Sequence, residues 1–76
     1  MNKARRKTLD DALAMLHNAE QIIGEVLEEE EMAYDNLPES IQDGERGEAM
    51  QEAIDSLDDA MDQLAEVISG VEEAQR

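Results

Sequence analysis

Tyr34-Asp35-Asn36-Leu37-Pro38-Glu39-Ser40-Ile41-Gln42-Asp43-Gly44-Glu45-Arg46-Gly47-Glu48-Ala49-Met50 decides the fold of this chain. The stretch holds the single proline, two of the four glycines and Arg46, the one base between the N-terminal cluster and Arg76. Pro38 has no backbone N–H to give and disfavours helical geometry at Leu37, so a helix arriving from the N-terminal side must stop near Asp35 or Asn36. Asn36 is placed to cap a short turn in which Pro38 and Glu39 come early. Leu37 and Ile41 then tuck that turn against the end of a bundle. Asp43 or Gly44 opens a second helix, with Glu45 and Glu48 near its positive end. Residues 36–43 therefore read as a connector between two helices.

Upstream of the connector, apolar residues recur in heptads. Leu9, Leu16 and Ile23 form one column, Ala12, Ala19, Val26 and Ala33 the next, and Leu13, Leu27 and Tyr34 flank them. With Met15 and Ile22 on the far shoulder, the stripe is wider than one neighbouring helix can bury, which is the pattern of a bundle. Two starts are available. Asn2 is one, and Thr8 with Asp11 three residues on is the other, its hydroxyl capping a free N–H. The expectation is an early, frayed start, with residues 1–7 a basic arm and the helix proper over about residues 8–35. Gly24 interrupts the pattern and is read as tolerated, at a cost of ~1 kcal/mol relative to Ala.

Downstream, Met50, Leu57, Leu64 and Val71 share a column, Ala53, Ala60, Val67 and Ala74 a second, and Ile54, Met61 and Ile68 run alongside. The second helix covers about residues 44–73, and at ~1.5 Å per residue each helix is about 40 Å long. Folding back near residue 40 sets Leu9 opposite Val71, Leu16 opposite Leu64, Ile23 opposite Leu57 and Glu30 opposite Met50. Glu30 shares the column of Leu16 and Ile23, so an acid points at the partner helix, and Arg46 is the base placed to pair with it. The expected architecture is all-α: an antiparallel two-helix hairpin, one domain over residues 1–76, that associates into a helical bundle. A homodimer is the first expectation. The core assigned to that assembly is Leu16, Ile23, Leu27, Met50, Ile54, Leu57, Met61 and Leu64.

A chain of 76 residues has little core to bury, and without cysteine it has neither a disulfide nor a thiolate metal site to help it. Association with another chain is the remaining stabiliser. No apolar run approaches the ~20 residues of a membrane span, and the first residues lack the apolar core of a signal peptide, so a cytoplasmic location is expected.

The formal net charge is −15. Lys3, Arg5, Arg6 and Lys7 precede a body, residues 8–75, in which 21 acids face Arg46 alone, a net −20. Such a body repels nucleic acid and anionic membrane and attracts basic surfaces. The basic arm is read as a partner for the acidic body of a neighbouring subunit. Along the second helix Glu48, Glu52, Asp55, Asp59, Asp62 and Glu66 follow i+3/i+4 spacing and form one outer stripe. Each like-charged pair costs ~0.2–0.5 kcal/mol. A row of carboxylates on a rod can imitate a nucleic-acid backbone and enter a basic groove.

The parts of an active centre are missing. His17 has no serine near it along the helix, and the residue three before it is Ala14, where a di-iron bundle needs Glu. A calcium loop and a phosphate-binding glycine loop are both absent, and no cofactor or metal is expected. The reading is of a protein that is not an enzyme.

The block YDNLPESIQDGERGEAMQEAIDSLDDAMDQL, preceded by an acidic run and a helix with a basic start, resembles a family of small uncharacterised two-helix acidic proteins of bacteriophages and prophages. The Leu-Pro-Glu-Ser turn and the Glu-Arg-Gly-Glu-Ala-Met helix start carry the resemblance, which spans nearly the whole chain. Members of that family have a serine where this chain has Gly44, so capping is weaker here. The resemblance implies a phage or mobile-element accessory setting. The expected function is binding of a basic protein partner, by analogy an inhibition of a host nucleic-acid-handling or defence factor. Two other classes stay open: a self-assembling structural or assembly-helper subunit, and an oligomer that binds a small ligand.

Overall fold

Asn2 supplies the missing acceptor at the start of the chain's first helix: its Oδ1 takes the backbone N–H of Arg5 at 2.8 Å. In the computed structural model, which describes all residues 1–76, α1 consequently runs over Lys3–Asp35. The basic residues 3–7 are its first turns and not a separate arm. Thr8, the other candidate cap, lies inside the helix and donates its hydroxyl back to the Ala4 carbonyl at 3.1 Å. α1 ends where Pro38 requires, but Asn36 caps its C-terminus: its N–H goes to the Met32 carbonyl at 3.1 Å, and the N–H of Leu37 goes to the Tyr34 carbonyl at 3.0 Å. The single-turn α2 (Glu39–Gln42) starts from Pro38 without a side-chain cap, and α3 (Glu45–Ala74) starts from Gly44, likewise uncapped.

α1 and α3 pack antiparallel as a helical hairpin. On α1 the partly shielded positions Leu9, Leu13, Leu16, Glu20, Ile23, Leu27, Glu30 and Tyr34 alternate spacings of four and three. On α3 the series is Gly47, Met50, Ile54, Leu57, Met61, Leu64, Ile68, Val71 and Gln75. Both are the narrow seam of a two-stranded coil, in which knobs of one helix enter holes of the other. Ile54 and Ile68, 7% and 5% exposed, are its best-buried side chains, each contributing up to ~1.5–3 kcal/mol.

The register is set by contacts at both ends. Gln42 Nε2 donates to the Tyr34 carbonyl at 2.9 Å, and Gln75 Nε2 donates to the Arg6 carbonyl at 3.1 Å and to Asp10 Oδ1 at 2.6 Å. Between them, Met61 Cε lies 3.6 Å from where a Cβ on Gly24 would sit. α3 is thus displaced by about one turn from the pairing of Ile23 with Leu57 and Leu9 with Val71 expected from a fold at residue 40. The connector explains the shift. α2 lies on the first turn of α3, so that turn is used up before α3 meets α1.

Gly47 makes this possible. It is buried, and a Cβ there would fall 1.9 Å from the Gln42 carbonyl oxygen and 2.4 Å from its carbonyl carbon. The first seam position of α3 is occupied by connector backbone, and only a residue without a side chain fits it. At Gly24 the nearest atom is the flexible end of Met61 at ordinary contact distance, so that glycine is tolerated and not required.

The hairpin is a rod of 58 × 15 × 13 Å with a radius of gyration of 17.3 Å, against about 11 Å for a compact chain of this length. No helix is long and apolar enough to cross a membrane.

Candidate interaction surface

The residues assigned from sequence to an assembly core, Leu16, Ile23, Leu27, Met50, Ile54, Leu57, Met61 and Leu64, all fall in the seam between α1 and α3 of one chain. A different set of apolar residues is left outside. One step round α1 from the seam, Ala12, Met15, Ala19, Ile22 and Val26 repeat the same three-and-four spacing. Met15 is 73% exposed, Ile22 51% and Val26 45%. One step round α3 in the same rotational sense come Ala49, Ala53, Ser56, Ala60, Gln63, Val67, Gly70 and Ala74, with Val67 50% exposed and Gln63 the one large polar side chain in the row. Because the helices are antiparallel, equal rotation away from the seam brings the two stripes onto one broad face. Its large side chains are mainly on α1 and its small ones mainly on α3.

The carboxylates lie elsewhere. Glu48, Glu52, Asp55, Asp59, Asp62 and Glu66 are all exposed, on the edge of α3 turned away from α1. Their polar contacts are few: Gln51 Nε2 donates to Asp55 Oδ1 at 3.0 Å, and no base comes within ion-pair distance of the row. The ladder expected from spacing is therefore an unpartnered ridge.

Glu30 and Arg46 form no ion pair. The ion pair of the chain is Arg76 with Glu73 at 3.6 Å, and His17 Nδ1 lies 3.6 Å from Glu20 Oε1. Glu30 does lie in the seam, half-buried. Arg46, however, belongs to the first turn of α3, which extends past the end of α1, and shares the column of Ala53, Ala60 and Val67 instead of the seam. It is exposed. The one-turn displacement of α3 that lets Gly47 meet Gln42 is what separates the two. His17 is exposed with Glu20 as its only charged neighbour.

The charges of α1 oppose its own dipole. Its first turn carries Lys3, Arg5 and Arg6 and no acid, its last turns carry Glu28 to Glu31 and Asp35, and no base is near its end. Each such charge at the wrong helix end costs ~0.3–1 kcal/mol when exposed. α3 has the usual arrangement only at its start, with Glu45 and Glu48.

No pocket indents the rod, and no group of three His or acidic side chains converges as a metal site. The chemistry on offer is that of surfaces: one apolar face and one anionic ridge. Comparison of the chain with protein-family models, with curated proteins and with solved structures found no match.

Proposed function

We propose that this protein is a non-enzymatic interaction module. Hairpins mate through their apolar faces into a helical bundle, which holds the α3 carboxylates outward for a basic protein partner. In the phage or mobile-element setting that the sequence resemblance implies, that partner is a host nucleic-acid-handling or defence factor, which the anionic rod inhibits by occupying its basic groove. The carrying observation is the separation of surfaces: Met15, Ile22, Val26 and Val67 expose their side chains on one face, while the row from Glu48 to Glu66 stands on the outer edge with no base beside it. A carboxylate row that only conferred solubility would gain from interspersed lysines, which would relieve repulsion at no cost in hydration.

The test separates binding from stability. Changing Asp55, Asp59 and Asp62 together to Asn removes three like charges at nearly constant size. The melting temperature rises, since several repulsive pairs of ~0.2–0.5 kcal/mol each disappear. Retention of basic host proteins on the immobilised chain falls, and the parent's retention weakens steeply with added salt. If parent and triple variant retain the same proteins, or only copies of the chain are recovered, the ridge is a solvated surface. The second reading, a self-assembling structural or assembly-helper subunit, then takes its place, supported by the exposed apolar face alone.

A further inference from the structure

The apolar face has a size, a shape and a charge gradient that together specify what covers it. The accessible surface of the chain is 5678 Å², against about 4,700 Å² for a compact monomer of this mass. The excess of roughly 1,000 Å² is close to the ~800 Å² that each partner contributes to a stable interface. The face is also uneven, since the outer stripe of α1 reads Arg5, Thr8, Ala12, Met15, Ala19, Ile22, Val26, Glu29, with Ala12 and Ala19 partly shielded and the rest exposed. Small and large alternate through its middle, and a base and an acid stand at its two ends.

We infer that a second copy of this chain, turned end for end, covers the face except at the connector end of each rod. α1 lies antiparallel on the second copy's α1, with Met15 opposite Ala19, Ala12 opposite Ile22, Thr8 opposite Val26 and Arg5 opposite Glu29. In this register each larger apolar side chain meets a small one, as close interdigitation requires. The two-fold axis passes near residue 17, so every pairing occurs twice, as an isologous interface demands. The basic first turns of each α1 come to lie beside the acidic last turns of the other, and the charges set against each helix's own dipole are answered by the neighbour's. α3 contributes only the C-terminal part of its stripe, Ala60, Gln63, Val67, Gly70 and Ala74, since the axis falls near Val67.

The alternative two-fold arrangement lays α1 on the second copy's α3 with both connectors at one end. It brings the Glu28 to Glu31 runs and Glu45 and Glu48 of both copies together, and such like-charge crowding costs several kcal/mol across an interface. The end-to-end arrangement is not free of repulsion. Asp11 of one copy flanks the stripe close to Glu25 of the other, so the dimer tightens as salt is added.

This arrangement rests on the self-association proposed above, and cross-linking tests the two separately. The chain has no cysteine, so single-cysteine variants report single positions. Arg5→Cys and Glu29→Cys are mixed, as are Thr8→Cys and Val26→Cys. Each mixture is treated with a short bis-maleimide, and the mass of each unmodified variant is measured by light scattering. Both mixtures give the mixed dimer, whereas Glu29→Cys alone gives none, because its two copies sit about 36 Å apart at ~1.5 Å per residue. Efficient cross-linking of Glu29→Cys to itself, or dimeric mass with no mixed product from either pair, overturns the end-to-end arrangement and leaves self-association standing. Monomeric mass for all variants and for the parent overturns both.

Discussion

Replacing Gly47 by alanine is expected to unfold the connector end of the hairpin. The added methyl has no room, because a Cβ at that position falls 1.9 Å from the Gln42 carbonyl oxygen, and the obstacle is backbone that cannot swing aside as a side chain would. Relief requires lifting α2 from the first turn of α3, which stretches the hydrogen bond from Gln42 Nε2 to the Tyr34 carbonyl and shifts the seam. Forcing extra volume into a packed site costs ~1–3 kcal/mol and more when backbone must move. For a chain this small, about 3 kcal/mol lowers the melting temperature by at least ~12 °C at ~4–8 °C per kcal/mol. Gly24→Ala, away from the face assigned to the second copy, is the control. Its Cβ position meets only the flexible Cε of Met61 at 3.6 Å, an ordinary contact distance, so the better helix propensity of Ala, ~1 kcal/mol, raises the melting temperature. Thermal melts followed by circular dichroism measure both. A Gly47→Ala variant that melts with the parent would remove the close approach of α2 to α3 from this account.

The second large effect separates the inside of the hairpin from its outer face. Ile54 is 7% exposed and Ile68 5%, in a seam whose other side chains are more exposed. Ile54→Asp places a carboxylate there with no base within reach and forfeits one of the two best-buried side chains. The cost of an unpaired buried charge exceeds what so small a core can supply, so helical signal and cooperative melting are lost. Ile22→Asp introduces the same group at a site 51% exposed in the single chain. It keeps the helical content of the parent but gives a species of single-chain mass, because the charge is buried only in the dimer. If Ile22→Asp unfolds as completely as Ile54→Asp, the hairpin does not stand without its neighbour. If it keeps the parent's mass, the face has no neighbour at all.

Most of the architecture was legible because it rests on local chemistry. Pro38 and its neighbours mark the turn unambiguously, and heptad columns on both sides mark two helices. Those columns are wider than one neighbouring helix can bury, and Met15 and Ile22 are left exposed on the hairpin. Which stripe pairs inside the chain was harder to read, because the inner and outer stripes share the same three-and-four spacing. Residue volume separates them. The inner stripe of α3 carries Met50, Ile54, Leu57, Met61, Leu64 and Ile68, whereas the outer one is mostly Ala, Ser and Gly. A hairpin buries more area through the first.

The pairing of Glu30 with Arg46 was inferred from a symmetric fold at residue 40 and failed with it. The register depends on how α2 sits against α3, and that turns on Gly47, which heptad counting treats as an ordinary gap. The anionic ridge was legible residue by residue, since i+3/i+4 spacing on a helix fixes a face irrespective of the partner. The early helix start was legible in Asn2, which caps α1, whereas residues 3–7 are its first turns and not a separate arm, because four bases near a positive helix end do not outweigh that cap.

A second copy of the chain on the face bearing Met15, Ile22, Val26 and Val67 doubles the mass of the species in solution. Light scattering after size exclusion, over a range of micromolar concentrations and at moderate salt, measures that mass. Twice the mass of the chain is expected at the upper concentrations, with the dimer fraction increasing as salt is added. A folded, cooperatively melting species of single-chain mass throughout that range would contradict the dimer.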